Sequence, residues 1–397
     1  MRRAMPAALG IMQGCVPLLP SFIALTSVAY PGVSLLPRSA TLSVMALCLV
    51  LAAYAVSMLL RYPRRGGQPL LLPLLAVVGA GLLSGLLGFD PRAGLLFTFI
   101  GLLGVIWHCA IVRFYGDRGA ADAIWWAFLV SGGLAAAVAI AMVVTRTPAS
   151  LYAIQHGRAT GTFVLPGELA GFTIVLLPVC YAVGCVGSGK PLRMLAWCTG
   201  AVGLTALLLT FSRAGWMGFA TAVAFLAAAR TRKPAVAAAV VAAGAAIVLL
   251  LFNVRHDPSE DFTRPAIWQA AVQVIDRFPL LGVGPFNFSR LYALVRGPDA
   301  DATAFHAHSL YLTFFAELGI VGVAALLWTI WRFAAELHRR LASASPRGAL
   351  LACGVTAGLL GVAVQGLIDT VSVVIFGLWM PMLALALAAA RDGEPAP

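Results

Sequence analysis

Charged side chains are scarce in this chain. Only 11% of its 397 residues are charged, whereas 61% are hydrophobic. A soluble globular domain is nearer half apolar, with about a quarter of its residues charged. The sequence therefore lacks the polar residues needed to cover a water-facing surface of this size, and most of its apolar surface must face lipid.

The chain also lacks the residue patterns of a disulfide framework or a zinc site. Its cysteines all fall inside apolar runs, none shows CxxC spacing, and no HExxH motif is present. These absences predict free, buried thiols that act as small apolar residues. The cysteines are Cys15, Cys48, Cys109, Cys180, Cys185, Cys198 and Cys353.

The net charge of +12 is not distributed as in a nucleic-acid-binding protein. Basic residues form short clusters between apolar runs, with no aromatic-interleaved basic stripe and no nucleic-acid motif. Because the clusters lie between the runs, we interpret the charge as a determinant of membrane topology and expect no nucleic-acid partner.

Long apolar runs dominate the sequence, and a helix needs roughly 20 such residues to span a membrane. The continuous apolar character excludes the alternation of a porin-type barrel. We predict an all-α polytopic membrane protein with about 12 transmembrane helices, in a single integral membrane domain covering residues 1–397. The runs are 8–29 (an uncleaved first span), 39–60, 69–88, 94–113, 121–144, 168–187, 192–211, 214–229, 234–253, 309–331, 348–367 and 370–390.

The basic residues predict the orientation. With the N-terminus inside, 17 of the 27 Lys and Arg residues fall in the tails and inner connections, five in short outer connections and five in one long outer loop. Cytoplasmic loops carry the excess of Lys and Arg. Both termini are therefore predicted to be cytoplasmic.

Two outer connections are too long to be simple turns, namely 145–167 and 254–308, and we call the second the cap. Its spacing of Ile267, Ala271 and Val274 predicts an amphipathic helix, with Pro265 in the first turn and Pro279 after the end. We expect a partly helical cap on the outer membrane surface, with this helix directing Arg264 towards Arg213. Its aromatic residues include Trp268, Phe278, Phe286, Phe288, Tyr292 and Phe305.

The predicted outer face gathers Arg158, Arg213, Arg264, His306 and His308. A guanidinium at the tight hairpin of Arg213 is costly unless it snorkels to lipid headgroups or binds an anion, and position alone leaves both open. The His-x-His pair could ligate a metal, but no further ligand pattern accompanies it. An interfacial histidine without a role and a general base are the other interpretations.

Four sequence blocks resemble signatures of the O-antigen ligase and polymerase superfamily, and the ligases most closely. Thr210–Trp216 (TFSRAGW) is similar to its SRxGW signature. Arg264–Trp268 with Pro279–Phe288 is similar to R…W…PLxGxGxxxF, and His308–Gly322 to HNxYLxxxxExGxxG. Arg158–Pro166 resembles a fourth, weaker block. The blocks occur in order and on one predicted face.

The resemblance implies transfer of a glycan from a polyprenyl diphosphate to an acceptor hydroxyl at the outer leaflet. The implied enzyme is a metal-independent, inverting glycosyltransferase of the bacterial inner membrane, without a cofactor and with a periplasmic active site. Arg213 and Arg264 would hold the diphosphate, with Arg158 and Trp268 as further substrate-binding residues and His308 as general base. Arginine pairs phosphate oxygens in a bidentate way, and histidine accepts a proton near neutral pH.

The identity of the acceptor is left open by departures from the family pattern. Gly167, Ser309 and Thr313 stand where the family usually has Asn, Asn and Gln. The ligase subfamily implies lipid A–core oligosaccharide as acceptor, whereas an O-antigen or capsule polymerase would use a second lipid-linked glycan. A protein O-oligosaccharyltransferase usually has a larger outer domain. A polysaccharide flippase or transporter is the alternative of another class, although the internal repeats typical of transporters are not evident.

Overall fold

The computed structural model describes residues 2–19, 38–62, 67–117, 119–231, 233–250, 259–297, 304, 306–370 and 379–391. Every regular element in these ranges is helical. The α-helices are α1 (Met5–Gly14), α2 (Arg38–Arg61), α3 (Leu71–Leu87), α4 (Pro91–Phe114), α5 (Ala120–Thr145), α6 (Ala149–Ile154), α7 (Pro166–Val186), α8 (Lys190–Leu209), α9 (Arg213–Thr231), α10 (Pro234–Leu250), α11 (Ser259–Arg277), α12 (Phe288–Val295), α13 (Leu310–Leu341), α14 (Pro346–Gln365) and α15 (Trp379–Ala389).

The all-helical membrane architecture is confirmed. Seven described helices are long and apolar enough to cross a membrane, namely α2, α4, α5, α7, α8, α13 and α14, while α3 and α15 are shorter apolar helices. Each of the twelve predicted spans coincides at least partly with a described helix. The count of twelve stays a prediction, and residues 20–29, 251–253 and 371–378 of three predicted spans lie outside the described part.

Helix α7 lies at the centre of the second half of the chain, between α8, α9 and α14. Glycines on its neighbours allow the close approach. A methyl group added at Gly358 of α14 would lie 2.7 Å from the Cα atom of Val175. One added at Gly218 of α9 would lie 2.5 Å from the carbonyl oxygen of Gly361. Small residues pack membrane helices in this way, because lipid supplies no hydrophobic driving force between them.

All seven cysteines are free thiols, as predicted. Cys15, Cys48, Cys109 and Cys180 are buried, whereas Cys198 is exposed on α8. The prediction of burial is therefore wrong for Cys198. An apolar run contains residues facing lipid as well as residues facing the protein, and composition does not separate them.

The cap contains α11 and α12. Helix α11 ends at Arg277, before Pro279 as predicted, but it begins at Ser259, so the placement of Pro265 in the first turn is wrong. A proline removes one backbone N–H bond, and packing of the apolar face preserves the helix around it. Residues 254–258, 298–303 and 305 of the cap lie outside the described part. The buried face is formed by Ile267, Ala270, Ala271 and Val274, against Phe288, Leu291 and Tyr292 of α12.

A break in α13 fixes the cap to the membrane helices. Gly319 has φ 61° and ψ −168°, which interrupts the helix within its span. The cap backbone fills the interruption: the N–H groups of Val283 and Gly284 donate to the carbonyls of Ala316 and Glu317, both at 3.0 Å. In the other direction, the N–H of Ile320 donates to a cap carbonyl at 2.8 Å. The two sequence blocks PLLGVG and ELGIVG are thus one interlocked unit.

Candidate active site

The hairpin between α8 and α9 uses most of its motif residues for its own fold. The Ser212 hydroxyl accepts the N–H of Gly215 at 3.1 Å and thereby caps the start of α9. The N–H of Ser212 donates to the hydroxyl of Thr210 at 3.2 Å. The Trp216 indole N–H donates to the carbonyl of Leu207 at 3.4 Å, which ties the two helices together. Ser212, Gly215 and Trp216 therefore have structural roles here.

Arg213 is the first residue of α9 and is partly buried. A helix N-terminus carries roughly half a positive charge, so it disfavours a cation and favours an anion. A guanidinium at this position costs electrostatic free energy, and a bound anion would reverse that cost. The position of Arg213 is therefore suited to anion binding.

Arg158 lies against the same hairpin. Its Nε donates to the carbonyl of Thr210 at 2.9 Å, and the N–H of Ala159 donates to the carbonyl of Leu209 at 2.9 Å. These bonds hold the segment after α6 at the C-terminal end of α8. They place Arg158 beside the residues that lead into Arg213.

His306 and His308 form a contact pair with different roles. The backbone N–H of His308 donates to Nδ1 of His306 at 3.1 Å, and the two ring centroids are 4.4 Å apart. A ring nitrogen that accepts a hydrogen bond carries no proton, so the His306 proton lies on Nε2. Burial lowers the pKa of His306 well below its usual value, helped by the charges of His308 and Arg264. His306 is therefore neutral at neutral pH and orders the loop.

The backbone of His308 is held from two sides. His308 has a left-handed backbone conformation, with φ 45°. The next residue, Ser309, caps α13 because its hydroxyl accepts the N–H of Leu312 at 3.5 Å. The N–H of Leu310 donates to the carbonyls of Gly366 and Asp369, at 2.8 and 3.1 Å. The start of α13 is thereby joined to the turn after α14.

Asp369 is a candidate site residue that the sequence reasoning missed. Its carboxylate accepts the N–H of Thr370 at 2.8 Å and lies against the first turn of α7, where a methyl group added at Gly167 would collide with it. Burial raises the pKa of Asp369, and the charges of His308, Arg264 and Arg158 oppose that rise. The available sequence signal was an acidic residue in the outer turn between the last two predicted spans.

The cap helix α11 carries Arg264 and Trp268. The charge of Arg264 acts on both Asp369 and His306, so α11 does bring this arginine to the group around His308. Trp268 lies one turn further and is partly buried, and its indole N–H has no hydrogen-bond partner among the described residues. That Arg264 and Arg213 bind one ligand stays a prediction.

Glu317 lies apart from this group and connects the cap to α13. Its carboxylate accepts the N–H of Phe288 at 3.4 Å. Its backbone carbonyl accepts the hydroxyl of Ser84 at 2.6 Å, in addition to the bond from Gly284. The residue therefore acts through the placement of the cap. The described residues contain no group of three or more His, Cys, Asp or Glu side chains that could hold a metal ion.

The described site thus joins Arg158, Arg264, His308 and Asp369, with Arg213 at the adjacent helix end. No curated protein matches this chain. Residues 198–327, one third of the chain, match the family model described as Wzy_C, O-Antigen ligase. The matched stretch includes Arg213, Arg264 and His308 and excludes Arg158 and Asp369. This match confirms the resemblance of the chain to the O-antigen ligase superfamily.

Proposed function

We propose that this protein is a glycosyltransferase of O-antigen and lipopolysaccharide assembly. It transfers a glycan from undecaprenyl diphosphate to a hydroxyl of lipid A–core oligosaccharide. One observation supports this most: Leu310, two residues after His308, donates its N–H to the carbonyl of Asp369, and the charges of Arg158 and Arg264 act on the carboxylate of that aspartate. Cations, a histidine and an acid are thereby gathered where a lipid-linked diphosphate would lie.

The arginines bind the diphosphate in this proposal. A guanidinium presents a planar fork of donors that matches two phosphate oxygens, and such charge-assisted bonds are stronger than neutral ones. Arg213 also acts together with the amide groups at the start of α9. As the leaving diphosphate gains negative charge, these contacts strengthen and lower the barrier to transfer.

His308 is the general base. Its imidazole takes the proton of the acceptor hydroxyl while that oxygen attacks the anomeric carbon. The bond from this carbon to the diphosphate breaks, and the diphosphate departs with the electron pair. A single displacement of this kind inverts the anomeric configuration. Asp369 is a positioning residue, because its carboxylate orients the imidazole and stabilises the imidazolium.

The test is reconstitution with purified undecaprenyl-diphosphate glycan and two acceptors, lipid A–core and a second lipid-linked glycan. We expect His308→Ala to abolish transfer with donor binding nearly unchanged. Arg213→Ala should weaken both, by about a hundredfold, since loss of a buried charge partner costs about 2–5 kcal/mol. Arg213→Lys should retain only part of the donor binding and of the transfer activity, because a lysine lacks the bidentate fork. The exposed Arg92, at the start of α4, is the matched control, and Arg92→Ala should leave transfer unchanged.

Two outcomes would contradict the chemistry. Activity of His308→Ala with both acceptors would make the histidine a simple interfacial residue. Loss of transfer on chelation, with recovery on adding a divalent ion, would favour a metal site at the histidine pair. Transfer to the lipid-linked glycan alone would identify a polymerase, and transport without transfer would identify a flippase.

The proposed location is the bacterial inner membrane, with the active site periplasmic and both termini cytoplasmic. In a cysteine-free background, we expect Ser345→Cys, in the turn between α13 and α14, to resist an impermeant thiol reagent from outside. Gly297→Cys, beyond α12 in the cap, should react, since no atom lies within 4 Å of a methyl group added there. Labelling of the first variant from outside would reverse the orientation.

A further inference from the structure

A groove of about 380 Å³ runs between α9 and α14 on the outside of the helix bundle. Thr221 and Ala228 line it on α9, and Leu360 lines it on α14. Leu367, in the turn after α14, and Tyr311 of α13 close its outer end. Leu360 and Leu367 are 40% and 55% exposed, so the groove opens towards the lipid phase.

The outer end of the groove adjoins the candidate active site. Tyr311 lies three residues after His308, and its hydroxyl donates to the carbonyl of Ala363 at 2.7 Å. Leu367 lies two residues before Asp369 in the turn that accepts the N–H of Leu310. A molecule that occupies the groove therefore ends beside the histidine and the acid.

The lining suits a hydrocarbon. Among the described residues that line it, only Thr221 and Tyr311 have polar side chains. Both hydroxyls donate within the protein, that of Thr221 to the carbonyl of Met217 at 3.0 Å. An occupant with polar groups along its length would find no side-chain partner there. A long apolar chain would need none.

We propose that this groove holds the polyprenyl chain of the donor, with the diphosphate emerging beside Tyr311. The inference rests on the proposed function. Lipid is as apolar as the groove, so moving the chain between them yields little binding free energy. The benefit is directional: a chain fixed along α9 and α14 presents its diphosphate to the arginines in one orientation, as positioning requires.

The kinetic test fills the groove. Thr221→Trp should lower kcat about tenfold for a glycan on the full undecaprenyl diphosphate, with KM little changed, because the diphosphate is no longer held in one orientation towards the arginines. A donor with a three-unit prenyl chain should be unaffected. Thr205→Trp on α8 is the control, since Thr205 is exposed outside the groove and, like Thr221, its hydroxyl bonds to its own helix, at 3.1 Å. If Thr221→Trp affected the long and the short donor equally, the groove would not hold the polyprenyl chain. The same conclusion would follow if Thr205→Trp had as large an effect as Thr221→Trp.

Photocrosslinking tests the groove without requiring activity. A photoreactive residue at Leu360 should label radiolabelled undecaprenyl diphosphate, and excess unlabelled polyprenyl diphosphate should compete whereas phospholipid should not. The control position is Leu327 on α13, which is 59% exposed. Equal labelling at both positions, or competition by phospholipid, would contradict the proposal. If Leu360 were labelled specifically but the protein transferred no glycan, the groove would still be a polyprenyl site and the proposed function would be refuted.

Discussion

Helices α7 and α2 have nearly the same hydropathy and opposite surroundings. Their mean hydropathies are 2.2 and 2.3, yet 83% of the most apolar part of α7 is buried in the protein, against 28% for α2. Val50 and Leu60 of α2 are largely exposed. Hydropathy therefore indicates that a helix enters the membrane, but it does not indicate which helix is buried at the centre of the helix bundle.

The difference arises from the neighbours of α7. Gly358 and Gly361 of α14 let that helix lie directly on α7, and Gly215 of α9 lies against Ala170. The first turn of α7 then meets Asp369, and the carbonyl of Gly167 accepts the side-chain amide of Gln365 at 2.8 Å. The most buried of the seven long apolar helices is thus the one that positions the candidate site.

The largest effect should follow from disturbing this packing. Gly358→Leu would insert a side chain where the backbone of Val175 already lies, and overpacking a core costs about 1–3 kcal/mol or more. We expect little folded protein, measured as monodisperse yield and thermal midpoint in detergent. Gly79→Leu on α3, where nothing lies within 4 Å of an added methyl group, should fold normally. Equal stability of both variants would refute the central role of α7.

The break in α13 should be nearly as sensitive. Gly319 occupies a backbone region that is essentially restricted to glycine, so Gly319→Ala costs about 1–3 kcal/mol, and the added methyl group would also collide with Leu280. We expect loss of transfer and faster amide hydrogen exchange at Val283 and Gly284. Gly297→Ala in the open part of the cap is the control. Unchanged exchange in Gly319→Ala would show that the cap does not depend on this break.

Asp369→Asn should impair chemistry more than structure. We expect kcat to fall about tenfold or more, equivalent to about 1.4 kcal/mol, with donor binding retained. The acidic limb of the pH profile of kcat/KM should move to lower pH, because the imidazole loses a carboxylate that favours its charged form. Asp90→Asn is matched, since Asp90 is also an aspartate between two helices and binds Arg290 at 2.7 Å. An unchanged pH profile would leave Asp369 a purely structural role.

The smallest effect concerns His306. Its pKa is lowered in the folded state, so the unfolded chain binds more protons below about pH 6.5, and stability falls as the pH falls through that range. His306→Asn should reduce the drop in thermal midpoint between about pH 7 and pH 5. His156→Asn, at an exposed position, should not. A drop of equal size in all three proteins would show that His306 does not cause it.

Much of this protein could be predicted from the sequence because the membrane restricts backbone geometry. Every backbone polar group in lipid must be bonded within its own segment, so apolar runs of sufficient length become helices. The outer-face basic residues and the four motif blocks then indicated Arg158, Arg213, Arg264 and His308. Local rules failed at Pro265, because packing of the α11 face preserves the helix through that residue.

The tertiary structure alone decided which helix is central and which acid faces the histidine. Asp369 lies 61 residues from His308 in sequence, and the two come close only because α13 begins at the turn that follows α14. The insertion of Val283 and Gly284 into the break at Gly319 likewise joins segments whose separate motifs do not reveal that they bond to each other. Composition and spacing determine that the chain enters a membrane and where its helices lie, whereas long-range packing determines which side chains share a site.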